Sequence, residues 1–105
     1  MILVFITCKN KKEAEKIGLV LLKKRLAACF AVIPRVFSFY FWPPKKGRIE
    51  KTIEAILLVK TLKKKFSQVE REVKRLHSYT VPFIGEIPVE RVYRPYLEWL
   101  KGEIP

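Results

Sequence analysis

The apolar positions of this chain change spacing along its length, and each change marks an element. Ile2-Leu3-Val4-Phe5-Ile6 is continuously apolar and rich in β-branched residues, which predicts a strand over 1–7 buried on both faces. From about 11 to 25 the spacing turns helical: Ala14, Ile17 and Leu21 share one face, joined by Gly18 and Leu22. Asn10 stands where a helix N-cap is wanted. Glu13 and Glu15 in the first half and Lys23, Lys24 and Arg25 at the end suit the helix dipole. A long strand follows over 26–42, bent near Pro34, then a turn at Pro43-Pro44-Lys45-Lys46-Gly47 and a returning strand over 48–61. Leu62, Phe66, Val69, Val73 and Leu76 step by four, three, four and three, which predicts a second helix over about 63–77. Glu70 and Lys74 on it are spaced for an i,i+4 ion pair. The run from Ser78 to Pro82 breaks that helix. A short strand over about 83–91 follows, and Arg94-Pro95 opens a terminal helix of one to two turns.

The order β-α-β-β-α-β plus a C-terminal helix predicts an α+β, ferredoxin-like sandwich with an extended central hairpin. Residues 1–105 form one domain, since a chain of 105 residues has room for one core. The hairpin is the unusual part. Phe37, Phe39 and Phe41 point to one side of its first strand, and Val36, Tyr40 and Trp42 to the other. Two helices cover only one face of a sheet, so a second aromatic face needs a partner. The return strand of about 14 residues spans roughly 45 Å, well beyond a usual strand. Copies of the same chain are the economical cover, with a ligand groove on a monomer as the alternative.

Charge enters next. Lys and Arg number 22 against 10 acids, a net +12. Nucleic acid or a membrane surface is then a natural partner class. The cations are spread over both helices and the turn, and the Lys/Arg-Gly-Phe run of an RNA-recognition motif is absent. Salt-sensitive, non-specific polyanion binding is expected and specific nucleic-acid binding is not. A charge-rich surface also fits a thermostable protein. No segment is long and apolar enough to span a bilayer, and no signal-peptide pattern opens the chain, so a cytoplasmic location is expected. Cys8 and Cys29 have neither zinc-finger nor CxxC spacing, and both read as reduced, small apolar side chains. There is one His and no GxSxG, HExxH, GxGxxG or P-loop motif, so the chain does not read as an enzyme.

Several short motifs occur in order along nearly the whole chain: Leu26-Ala27-Ala28-Cys29, then Ser38, Tyr40 and Trp42, Glu54, Lys60-Thr61, His77, Tyr79 and Pro82, and Tyr96-Leu97-Glu98-Trp99-Leu100. Together they resemble the CutA family of divalent-cation tolerance proteins. The resemblance implies a tight homotrimer like that of PII signalling proteins, a cytoplasmic role in tolerance of copper and other divalent metals, and no catalytic reaction. No obligatory cofactor follows from it, with copper or another divalent metal as the candidate ligand. It implies a metal pair, Cys29 and His77, with the family's other cysteine aligning at Ile6, two residues before Cys8. Thiolate and imidazole suit copper and zinc, and a structural role is the plain alternative for a lone His at a helix end.

The family's usual His-Pro-Tyr-Glu is here His77-Ser78-Tyr79-Thr80, and a further usual Pro-Glu is Pro82-Phe83. The acid of the family's Trp-Glu-Gly-Lys turn is likewise lost in Trp42-Pro43-Pro44-Lys45. A hard-cation site built on those carboxylates would lose its best ligands. The PII likeness also implies an inter-subunit cleft lined by Tyr40, Trp42, Lys60, Tyr79, Tyr96 and Trp99, where a Lys beside aromatics suits an anionic small ligand. Interface and core packing is the plainer reading of the same six, and Trp99 reads as a helix anchor. A PII-like small-ligand or signalling protein and a basic nucleic-acid-binding module stand as the alternatives.

Overall fold

The structure, a computed structural model, describes residues 1–105. The chain folds as β1 (Ile2–Cys8), α1 (Lys11–Lys23), β2 (Cys29–Trp42), β3 (Arg48–Thr61), α2 (Phe66–Leu76, after a 3-10 turn at Lys63–Lys65), β4 (Ile84–Pro88) and α3 (Arg94–Glu103). The strands make one antiparallel sheet in the order β2-β3-β1-β4. That is the α+β, ferredoxin-like arrangement the sequence predicts.

Strand alternation decides which residues meet the helices. Ile2, Val4, Ile6 and Cys8 of β1 and Ala55, Leu57 and Val59 of β3 point to one side. There they meet Ala14, Ile17 and Leu21 of α1 and Val69 and Val73 of α2. Each such buried Val, Leu or Ile side chain contributes about 1.5–3 kcal/mol, so this single layer carries most of the folding drive. Leu3, Phe5 and Thr7 on the other side of β1 stay half-exposed. The expectation of a strand buried on both faces is therefore corrected: within one chain the second face is covered only in part.

Both ends of α1 are fixed. Asn10 Oδ1 accepts the Glu13 N–H at 2.9 Å, and the Glu13 carboxylate reaches back to the Lys9 N–H at 2.9 Å. At the other end Arg25 N–H bonds Leu22 O and Leu26 N–H bonds Leu21 O, a Schellman closure that puts Arg25 at φ 56°. A non-glycine there costs about 1 kcal/mol. Arg25 Nη1 offsets it by gripping Glu103 of α3, at 2.6 Å to Oε2 and 3.2 Å to the carbonyl.

Other boundaries moved for physical reasons. β2 begins at Cys29 rather than 26, because the Schellman closure still turns the chain at Leu26. β4 has five residues rather than nine: its ladder with β1 runs from Ile84 to Pro88, and past it the Val89 N–H donates to the Met1 carbonyl at 3.1 Å. α3 runs ten residues, longer than one to two turns, because nothing between Pro95 and Pro105 breaks it. Its anchors are the buried Leu100 and Ile104, whereas Trp99 is 46% exposed, so Trp99 is not the anchor expected. Glu70 and Lys74 do not close into an ion pair. Glu72 takes that role, holding both Lys24 of α1, at 2.7 Å, and Arg75. Hydrogen bonds from Arg75 and then Lys24 hold the Glu72 carboxyl down at about 2.

Gly18 is required by packing. A Cβ there would sit 2.6–2.7 Å from three atoms of the Phe30 ring. Gly18→Ala gains about 1 kcal/mol of helix propensity but forces Phe30 aside, an overpacking cost of about 1–3 kcal/mol. We expect a net loss of stability in denaturant titration, and a stabilised Gly18→Ala would contradict the packing.

The hairpin leaves the body of the molecule, which is 48 Å along its longest axis. A bulge between Ile33 and Val36 marks the bend at Pro34. Beyond it Phe37, Phe39 and Phe41 lie on the helix side but past the helices, and are 59%, 65% and 72% exposed. Arg35 and Lys51 flank the Phe37 ring. On the open side Leu3, Phe5, Ile33, Ile56, Leu58 and Ile87 make a continuous apolar surface. Phe83 folds over it, edge-on to Phe5 with ring centroids 5.8 Å apart, and Tyr96 of α3 lies against Lys60 at its edge.

Candidate functional site

The end of β1 is where the titratable side chains converge. Cys8 is the last inward-facing residue of the strand, Glu13 opens α1, and His77 closes α2. One ligand atom from each lies within 4.8 Å of the other two. The His77 side chain has no exposed surface. Its Nε2 lies 2.7 Å from the Thr7 carbonyl, and its Nδ1 accepts the Tyr79 N–H at 3.0 Å. The ring therefore donates through Nε2 and accepts through Nδ1, which ties the exit of α2 to β1.

Glu13 completes the tie. Its Oε2 accepts the Ser78 N–H at 2.9 Å while Oε1 holds Lys9. Burial pushes its carboxyl up, but the hydrogen bonds from Ser78 and Lys9 outweigh this and hold it below the usual carboxylate range. Cys8 is pushed up to about 12 by burial first, then by the Glu13 and Glu54 carboxylates, so it is a thiol and not a thiolate at neutral pH.

Tyr79 extends the network to β3. Its hydroxyl donates to Glu54 Oε2 at 2.5 Å. Burial, with Glu54 as acceptor, raises the phenol above its ordinary value and keeps it a donor. Val36 is the cross-strand neighbour of Glu54, so this bond stands at the root of the projecting hairpin.

Cys29 lies elsewhere. It pairs with Lys60, whereas Cys8 pairs with Ala55, five residues along the same strand. That separation is about 16 Å along β3, and Cys29 faces the open side. One chain therefore does not bring Cys29 and His77 together. The cysteine it does bring is Cys8. Alternation could have found it: Cys8 shares the face of Ile2, Val4 and Ile6, so a cysteine moved two residues from Ile6 keeps its side of the sheet. The bonds of Glu13 to Ser78 and of Glu54 to Tyr79 had no such signal, because they join residues 65 and 25 positions apart.

The six cleft residues form two groups and an outlier. Lys60 Nζ lies 5.1 Å from the Tyr96 ring centroid, and Tyr96 and Trp99 are 5.3 Å apart. Tyr79 joins Glu54, with Tyr40 close enough to influence its phenol. Trp42 is at the hairpin tip, opposite Arg48.

A family model described as CutA1 divalent ion tolerance protein matches residues 2–103. The chain belongs to the CutA1 family. A divalent-cation tolerance protein CutA of Archaeoglobus fulgidus is 43% identical over 97 residues, 92% of this chain and 91% of that one. Human protein CutA is 37% identical over 97 residues, and the chain spans about half (52%) of its length. A solved structure described as the periplasmic divalent cation tolerance protein CutA from Archaeoglobus fulgidus superposes with a TM-score of 0.93 at 40% identity, covering 100% of both chains. The resemblance drawn from the short motifs is thus established at the level of family and fold. No helix of this CutA1 chain is long and apolar enough to cross a membrane.

Proposed function

We propose that this CutA1 protein acts in divalent-ion tolerance as a homotrimer that binds metal weakly at Cys8, Glu13 and His77, with no catalytic step. The observation that carries the metal reading is the convergence of thiol, carboxylate and imidazole within 4.8 Å. That donor set suits zinc or copper, and metal binding would supply the charge needed to draw the proton from Cys8. Binding is expected to be weak because every donor but the thiol is already engaged. A metal must displace the Tyr79 N–H from His77, or the Thr7 carbonyl, and loosen Glu13 from Lys9 or Ser78.

Equilibrium binding of Zn(II) and Cu(I) tests this, with Cys8→Ser and Cys29→Ala compared against wild type. Cys8→Ser is expected to weaken binding about tenfold or more while Cys29→Ala leaves it unchanged. Loss of affinity in Cys29→Ala alone would move the site to the open face. The trimer reading is supported by the apolar open side and the exposed hairpin phenylalanines, surfaces that a soluble chain buries against copies of itself. The two unpaired thiols suit a reducing, cytoplasmic location. A second reading, an anionic small ligand at the cleft, is favoured by one observation: Lys60 is stacked on Tyr96 beside Trp99 rather than paired with an acid.

A further inference from the structure

The net charge is concentrated on one layer of the fold. Residues 9–25 and 63–75, which build α1, the 3-10 turn and α2, hold thirteen cations against four acids, a net +9 of the chain's +12. These elements run antiparallel over the sheet: Glu13 at the start of α1 meets Ser78 after α2, and Lys24 at its end meets Glu72. Lys24 and Arg75 share Glu72, and Arg25 grips Glu103. Lys11, Lys12, Lys16, Lys63, Lys64 and Arg71 are exposed and have no carboxylate within ion-pair distance.

Folding does not account for them. Lys12 and Lys16 are like charges at i,i+4, which is unfavourable in a helix. Lys63, Lys64 and Lys65 stand at the start of α2, the positive end of its dipole, with no acid in its first turn. We propose that this helical layer is a docking surface for the phosphodiester backbone of a nucleic acid, bound without regard to sequence. Phosphates at regular spacing supply the counter-charge that the chain itself withholds. The layer carries no exposed aromatic ring with which to stack a base, so it contacts backbone and not bases. A membrane is the poorer fit. The apolar faces of α1 and α2 are spent on the core, leaving Leu19 as the exposed apolar side chain of these helices. The open side of the sheet, left to the assembly, does not compete for this surface.

The test is a salt titration of binding to a fluorescent mixed-sequence duplex of ~20 base pairs. Lys12, Lys16, Lys63 and Lys64 are changed together to Gln, and the same charge is removed elsewhere as Lys45, Lys46, Arg91 and Lys101 to Gln. The first variant is expected to lose roughly tenfold or more in affinity and about one unit of log–log salt slope per lysine. The second is expected to keep the wild-type slope to within about one unit. Equal losses in both variants would reduce the effect to net charge and overturn the surface. So would binding to phosphatidylserine vesicles as tight as, or in place of, binding to the duplex.

Discussion

Phe41→Asp is expected to dissociate the proposed homotrimer while leaving the subunit folded. Phe41 is 72% exposed in the single chain, so its replacement costs the isolated subunit little, about 0.5 kcal/mol. In the proposed trimer the same ring would be covered by a neighbour. Burying a Phe side chain is worth about 1.5–3 kcal/mol, and a carboxylate put in its place must be desolvated as well. Each interface carries the change, so the loss is multiplied across the ring. The open side allows a second variant, Ile33→Asp, at a position 40% exposed in the chain. Light scattering should give wild type a mass three times 12.4 kDa and each variant the monomer mass with an unchanged far-ultraviolet dichroism spectrum. A wild-type monomer at micromolar concentration would end the assembly reading. Variants that keep the wild-type mass would mean that other surfaces hold the copies together.

His77→Ala is expected to cost about 3 kcal/mol of stability, and Glu13→Ala about 2. Removing the imidazole strands the Thr7 carbonyl and the Tyr79 N–H and leaves a hole where a fully buried side chain stood. Removing the carboxylate strands the Lys9 and Ser78 N–H groups, which are part-buried and can recover some solvation from water. The midpoint of thermal unfolding would fall by about 4–8 °C per kcal/mol, compared at one protomer concentration because the proposed assembly would be linked to folding. Glu13 also sets a direction with pH. Its folded pKa is lowered, so its contribution is fully present above the ordinary carboxylate value and is lost as pH falls through the folded one. Wild type should therefore lose more stability on acidification than Glu13→Gln. Equal acid sensitivity would mean that the tie between α1 and the exit of α2 carries little energy. A loss below about 1 kcal/mol in His77→Ala would say the same of the bond to β1.

The parts of the fold legible in the sequence are those whose signals are local. The stripe from Phe66 through Val73 gave α2, and Val69 and Val73 are its fully buried residues. Asn10 caps α1 as expected because an Asx side chain needs only the third N–H downstream. The aromatic alternation from Val36 to Trp42 gave both faces of the hairpin, and Ile49, Lys51 and Ile53 of β3 lie beside Phe41, Phe39 and Phe37 as a continuous register requires. Misread features depended on a distant partner. β1 looked buried on both sides because apolar content does not say whether a second layer exists. Trp99 reads as an anchor by size alone, but size does not fix burial, and Leu100 and Ile104 are the residues that turn inward.

The site divides along the same line. By itself the sequence carried the motifs that resemble the family, and its residue types and spacing determined the ferredoxin-like order and the need to cover a two-sided aromatic ribbon. It also placed His77 at the exit of a helix. Only the tertiary structure decided that His77 meets Cys8 and Glu13, and that Cys29 stands about 16 Å away along β3 on the other side of the sheet. The physical reason is that these contacts join residues up to 69 positions apart. Their meeting is set by the order β2-β3-β1-β4 and by the helices lying across it. Alternation can say which face a cysteine takes, but only the packed sheet says what waits there.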